Sequence, residues 1–340
     1  MKVLILGGCG FVGRRFVHRL SHLDHIVTCV DDMSAGIAVE NWFLQPKAEN
    51  CRFEYRDCRD FFRGTNAREF DLVIHCAAIV GGRKYIDGDP LLVGTNLSID
   101  SELFNWVVKE RDRFGLLRPA TSAPKVIYFS SSAVYPAELQ TEKKNLLLSE
   151  ALLDFRFSRV SLPEASYGFC KLAGEYLANI AARQYGLNVA IYRPFGGYGE
   201  DQSLDYPFPA IVKRFVDNEK PSIKVWGSGN QLRDFIYIED VVDAVLATYE
   251  KLKPSMTVGL GFGNVCNLGT GLGMSFMKLA ELIMQESGYE GLITNDPGKP
   301  EGVFARVADT AKLNQWYTPT TTLLEGIRKM LAYRKGLTPK

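Results

Sequence analysis

Over its first half the chain alternates two hydrophobic rhythms. Short runs rich in Val and Ile, KVLILG at 2–7, IVTCVDD at 26–32 and FDLVIHCAA at 70–78, read as strands. Further runs at 51–57, 125–132 and 188–194 repeat the pattern. Between them, 11–23, 98–112 and 166–186 space their apolar residues for one helix face. Apolar strands separated by amphipathic helices predict an α/β fold, a doubly wound parallel sheet covered by helices on both faces.

After Pro194 the rhythm shortens and Gly, Pro and aromatic residues become frequent. Helices are expected at 207–217, 274–288 and 321–335, and a strand followed by a helix over 233–251. We therefore expect residues 1–194 to form the first domain, with 234–251 returning to it. Residues 195–233 and 252–335 would build a smaller, interleaved C-terminal α/β substrate lobe. The polar stretch from Ala137 to Pro163 reads as a long loop near the cleft, with room for a short helix.

Composition narrows the function classes. The chain has 340 residues, 46% hydrophobic and 23% charged, with a formal net charge of +1. That balance suits a globular protein with a sizeable core and offers no basic field for nucleic acid or an anionic membrane surface. Glycines interrupt the apolar N-terminus, which fits a strand and turn better than a signal peptide, and no window is long enough for a membrane helix. Seven scattered cysteines without a Cys-x-x-Cys pair predict reduced thiols and a cytoplasmic location. His18 and His22 stand four apart, but no acidic residue lies between them, so they read as solvated helix residues and no metal is expected.

Gly7, Gly8, Gly10 and Gly13 lie between the first strand and the first helix. This is the setting of a dinucleotide fingerprint: a tight turn, close backbone approach to a pyrophosphate, and the positive helix end facing it. The sheet is then Rossmann-like. Asp31 ends the second strand, where a carboxylate accepts the adenosine ribose hydroxyls and repels a 2′-phosphate, favouring NAD over NADP. Asp32 could share that task, whereas Arg14 or Arg15 could instead receive a 2′-phosphate. Asp57 and Cys58 stand where a side chain and an amide could hold adenine, or could form an ordinary strand-end turn. Cys76, Ala77 and Ala78 are small enough for a flat cofactor to pass the backbone.

Tyr167 and Lys171 are one helical turn apart, so both can act on one bound molecule. The strand carrying Ser130, Ser131 and Ser132 should end beside that helix. A serine hydroxyl could hold a sugar hydroxyl while a tyrosinate, steadied by the ammonium, removes its proton.

With these motifs the chain resembles the extended short-chain dehydrogenases/reductases that act on nucleotide sugars. The likeness runs from GGCGFVG to TLLEGIRKML and includes SSSAVY, SYGFCK, YRPFGGYG, GSGNQLRDFIYIEDVVDA and NLGTG. It implies Ser131, Tyr167 and Lys171 as the catalytic triad and NAD as cofactor, with Phe11, Val12, Asn96 and Pro194 as further cofactor contacts. It implies Arg233 and Arg306 on the sugar-nucleotide diphosphate, with Val80, Gly81, Gly82 and Ser132 also facing substrate. A homodimer formed through two helices per subunit is implied as well.

Within that resemblance the reaction turns on a few positions. The Asp-Glu pair that 4,6-dehydratases use is replaced by Ser132 and Ala133. The cysteine of GDP-mannose 3,5-epimerases and GDP-fucose synthases, two residues after the serine, is also Ala133. Cys170, adjacent to Lys171, should point elsewhere on the helix. Chemistry at C4 alone remains, so the expectation is an NAD-dependent nucleotide-sugar epimerase acting at C4 through a transient 4-keto sugar, on a GDP or UDP sugar. A 4-keto reductase and a GDP-sugar 3,5-epimerase variant are the nearest alternatives. A catalytically silent NAD-binding sensor or scaffold is the alternative of another class.

Overall fold

The computed structural model describes residues 1–81, 88–109, 123–142, 144, 146–153, 162–218, 221–253 and 263–337. Its large sheet contains β1 (Lys2–Leu6), β2 (Ile26–Asp31), β3 (Cys51–Tyr55), β4 (Leu72–His75), β5 (Lys125–Phe129), β6 (Val189–Pro194) and β10 (Val265–Leu268). They pair in the order β10-β6-β5-β4-β1-β2-β3, every pair parallel. The order reverses between β1 and β4, which opens a crevice at the carboxyl ends of these strands.

The inner strands β1, β4, β5 and β6 read as near-continuous apolar runs because both faces are buried, whereas the edge strand β3 carries Arg52 and Glu54 and is partly exposed. In β1, Val3 and Ile5 join a core with Phe16, Val17 and Ile127, while Leu4 and Leu6 join Leu103, Val107 and Val126 on the opposite face. Each such side chain contributes about 1.5–3 kcal/mol on burial. The Gly13–His22 helix covers the first face; the Thr95–Val108 and Ser166–Tyr185 helices, packed on each other, cover the second.

The smaller lobe is built on β9 (Leu232–Tyr237), which pairs with β7 (Gly196–Tyr198) and β13 (Ala305–Arg306) in parallel and with β11 (Gly273–Ser275) antiparallel. A separate parallel pair joins β8 (Ser222–Trp226) to β12 (Leu292–Asp296). The Pro207–Val216, Phe276–Ser287 and Leu323–Arg334 helices pack together around these strands.

The return to the first domain differs in detail from the sequence reading. The strand over 232–237 belongs to the small sheet, and only the helix that follows it, Ile238–Thr248, packs back on the Gly13–His22 helix. The seventh strand of the large sheet is β10, inside the range expected for the substrate lobe. All four of its residues are buried. A four-residue run gives no sign of which sheet will receive it.

The 137–163 loop carries only short 3-10 turns among its described residues, at Ala137–Leu139 and Glu150–Leu152. It is pinned where Pro136 meets Pro163 and Leu148 meets Ala308.

Candidate active site

At the end of β1 the chain turns through Gly7 with φ 72°, a left-handed conformation that glycine adopts without strain. A Cβ there would stand 2.6 Å from the Ala77 nitrogen, so Gly7 also lets β1 and the Cys76–Ala78 segment meet backbone to backbone. A Cβ on Gly13 would collide with the Gly7 carbonyl. The resulting cradle at a helix N-terminus suits a pyrophosphate.

Asp31 is buried, its Oδ2 accepting from the Cys9 amide at 2.9 Å and its Oδ1 from the Met33 amide at 2.8 Å. Burial pushes its carboxyl above the usual range, against the pull of the Met33, Cys9 and Gly10 amides. Asp32 is exposed and caps its own turn through Ser34. Arg14 and Arg15 turn inward. Arg14 Nε lies 2.9 Å from Asp201 Oδ2 and Arg15 Nη2 lies 2.5 Å from Asp201 Oδ1, all three side chains buried. Neither arginine is placed to receive a 2′-phosphate.

The other residues expected at the cofactor follow β1, β3 and β4 or stand on β6 and the Thr95–Val108 helix. Phe11 and Val12 follow the glycine turn, and the Phe11 ring lies 5.4 Å from the Arg14 guanidinium carbon. Asp57 caps the Cys58–Gly64 helix and pairs with Arg59 at 2.6 Å. The Cys58 and Cys76 thiols are each pushed up to about 12, chiefly by burial. Asn96 spends its side chain on one residue: its Oδ1 accepts from the Ile79 amide at 2.7 Å and its Nδ2 donates to the Ile79 carbonyl at 2.9 Å. It therefore fixes the segment that carries Val80 and Gly81. Gly82 lies outside the described residues. Pro194 closes β6, half-buried.

Ser131 opens the turn after β5, its Oγ accepting from the Ala133 amide at 3.0 Å. Gly168, beside Tyr167, lets that turn press against the helix, since a Cβ there would collide with the Ala133 carbonyl. The close approach sets the Ser131 hydroxyl near the Tyr167 phenol. Burial, then the nearby Tyr206 and Asp100, push the phenol above its ordinary range, and the Ser131 hydroxyl works the other way. Lys171 is buried on the same helix, with Nζ 4.9 Å from the centre of the Tyr128 ring. The Cys170 thiol points at the Val93 carbonyl, 3.7 Å away, as its place on the helix implies.

Ser132 is buried, and Ser130 bonds Glu175 Oε1 at 2.5 Å. Glu175 holds Arg193 through two bonds of 2.8 and 2.6 Å, and Arg193 reaches Tyr135, which donates to Asn267 at 2.7 Å. This chain anchors the serine turn from below. Sequence reasoning missed it, although Glu175 four residues after Lys171 on an apolar helix face was a legible sign. Tyr206, at the start of the Pro207–Val216 helix, was missed too, and no local pattern marks it.

Arg233 and Arg306 are Cα partners on adjacent strands β9 and β13. Arg233 donates to the Leu232 carbonyl at 2.7 Å; Arg306 bonds Gln140 Oε1 at 2.7 Å and Glu164 Oε2 at 2.9 Å. His18 and His22 both direct Nδ1 to backbone carbonyls, and among the described residues no group of three or more His, Cys, Asp or Glu is arranged to hold a metal. No helix among the described residues is long and apolar enough to cross a membrane.

A dinucleotide cradle, an acidic residue ending β2 and a serine–tyrosine–lysine centre at the sheet's carboxyl edge define a dinucleotide-dependent enzyme of the short-chain dehydrogenase/reductase type. The chain belongs to the NAD dependent epimerase/dehydratase family, whose model matches residues 3–261. NAD is accordingly its cofactor, and the glycine cradle and Asp31 fit it. Similar proteins include one from Methanocaldococcus jannaschii provisionally named UDP-glucose 4-epimerase, 27% identical over 98% of each chain. A dTDP-4-dehydro-6-deoxy-D-allose reductase from Streptomyces sp is 29% identical over 92% of this chain and 89% of its own. The UDP-glucose 4-epimerase of Thermotoga maritima, solved with UDP-glucose, shares the fold with a TM-score of 0.78 and 24% identity, covering 99% of this chain and all of its own.

Proposed function

We propose that the protein epimerises a nucleoside diphosphate sugar at C4. Bound NAD supplies a reversible hydride acceptor, and every other task falls to the chain. Tyr167 takes the proton of the C4 hydroxyl and returns it after the 4-keto sugar has turned over. Ser131 holds that oxygen, and Lys171 supplies the positive charge that favours the tyrosinate. Arg233 and Arg306 grip the diphosphate with paired guanidinium forks. The observation that carries the reading is the Ser131–Tyr167 contact with Lys171 one turn away. Beside it stands Ala133, where a second proton-transfer step would need an acid or base.

The base is guanine or uracil, contacted in part by Val80 and Gly81. The outward faces of the two packed helices expose Leu97, Phe169 and Tyr176, which supports a homodimer formed there. A catalytically silent sensor would not need the intact serine, tyrosine and lysine. The test is turnover of UDP- and GDP-hexoses with product identified by mass and NMR. Interconversion of C4 epimers without net change in NADH is the expected result. Stoichiometric loss of NADH on a 4-keto sugar would overturn it in favour of a reductase.

A further inference from the structure

Beneath Lys171 lies a closed polar cluster that the proposed reaction does not use. Tyr128 on β5 donates to Asp100 Oδ2 at 2.5 Å, and His75 at the end of β4 donates from Nε2 to Asp100 Oδ1 at 3.0 Å. All three residues are buried: none has more than 1% of its surface exposed. The His75 and Tyr128 rings stack with centroids 5.8 Å apart. On the next turn after Lys171 stands Gly174, where a Cβ would collide with both the Tyr128 hydroxyl and the Asp100 carboxylate. The helix is thus shaped to admit the pair.

A carboxylate sealed in a core is costly unless donors and an opposite charge compensate it. Burial opposes the Asp100 charge, but the Lys171 ammonium and the His75 and Tyr128 donors together hold its carboxyl below the usual range. Burial also pushes His75 down, so the imidazole is a neutral donor. The cluster therefore carries one negative charge, and its face toward the active site is the Tyr128 ring with Lys171 over it. A ring whose hydroxyl donates to a carboxylate is richer in electrons and holds an ammonium more firmly.

We propose that Asp100 and Tyr128 are positioning residues of the reaction: the Tyr128 ring seats the Lys171 ammonium, and Asp100 is the counter-charge that keeps it there. The inference rests on the reading of Tyr167 and Lys171 as the reacting pair. Asp100 acts in two directions. It keeps the ammonium seated over the Tyr128 ring, and it disfavours a second negative charge on Tyr167 nearby. The groups facing Tyr167 are Tyr206, Asp100, Cys170, Ser131 and Tyr128; those facing Asp100 are Lys171, His75, Tyr128, Tyr167 and Cys170. Only Asp100 is a carboxylate among them.

The experiment is the pH profile of kcat for the NAD-loaded enzyme and for Asp100→Asn, Tyr128→Phe and Tyr167→Phe. Asp100→Asn should move the acidic limb to lower pH, by about one unit, with kcat down roughly tenfold and the substrate KM little changed. Tyr128→Phe keeps the ring and loses the bond to Asp100; it should move that limb the same way by less, and it serves if Asp100→Asn does not fold. A lower kcat with an unmoved acidic limb in both variants would assign the cluster to packing and overturn the proposal. Turnover in Tyr167→Phe within about tenfold of wild type would instead overturn the reading of the reacting pair, so the two failures are distinct.

Discussion

Arg306 Nη2 lies 2.9 Å from Glu164 Oε2, which ties the small lobe to a residue three positions before Tyr167. The guanidinium proposed for the diphosphate is thus held by a carboxylate of the catalytic segment. A diphosphate entering the cleft would compete with Glu164 for the same donors. Glu164→Gln should lower the KM for the nucleotide sugar, and Arg306→Ala should raise it about tenfold or more, as expected for a lost charged pair. Titration calorimetry with the free nucleoside diphosphate checks both; unchanged affinities would remove Arg306 from the binding site.

Tyr167→Phe removes the hydroxyl beside Ser131 and should cut kcat by roughly 10²–10⁴. NAD binding, followed by quenching of protein fluorescence, should stay within about twofold, a margin well under 1 kcal/mol. Because burial raises the phenol's pKa, wild-type activity should climb with pH on its acidic side. Activity that is flat with pH would contradict the tyrosine as base.

Asp31 and the inward-turned arginines predict the cofactor. Binding should favour NAD over NADP. Asp31→Ser should weaken NAD about tenfold by removing the ribose acceptor. It should not create an NADP site, because Asp201 holds Arg14 and Arg15. Tight NADP binding by Asp31→Ser would show that an arginine is reachable after all.

Stability at low pH should depend on Asp240. Its Oδ1 accepts from Tyr317 Oη at 2.6 Å and from the Thr320 amide at 2.8 Å, and its Oδ2 accepts from the Thr321 amide at 3.0 Å. Burial opposes the charge, yet Tyr317, Thr320 and Thr321 hold the carboxyl below its usual range. A lowered folded-state pKa contributes stability that is present above the unfolded value, near pH 4, and is lost as pH falls through the folded value. Asp240→Asn should lower the melting temperature at pH 7 and narrow its gap to wild type below pH 4. A gap independent of pH would refute the charge as the cause.

Glu175→Gln should be the most damaging of the core substitutions. It would leave the buried Arg193 without its full counter-charge, a loss of about 3–5 kcal/mol. Denaturant melts of the variant check this, and a change below 1 kcal/mol would refute it.

Much of this protein was legible in the chain itself. Apolar runs bounded by glycine and polar turns located six strands of the large sheet, because burial on both faces demands near-continuous hydrophobicity in the inner strands and the edge strand β3 keeps every second residue apolar. The glycine spacing marked the turn from the first strand into the first helix, and the four-residue step from Tyr167 to Lys171 placed them on one helix face, because helical geometry is local. What tertiary structure alone decided was which distant segments meet. It seated Asp100 and Tyr128 under Lys171, and it locked Arg14 and Arg15 onto Asp201. It also brought the Cys9 and Cys29 sulfurs within 3.8 Å and gave β10 to the large sheet. Periodicity tells a residue which face it occupies, but strand order and crossover decide what lies opposite, and those follow from the packing of the whole chain.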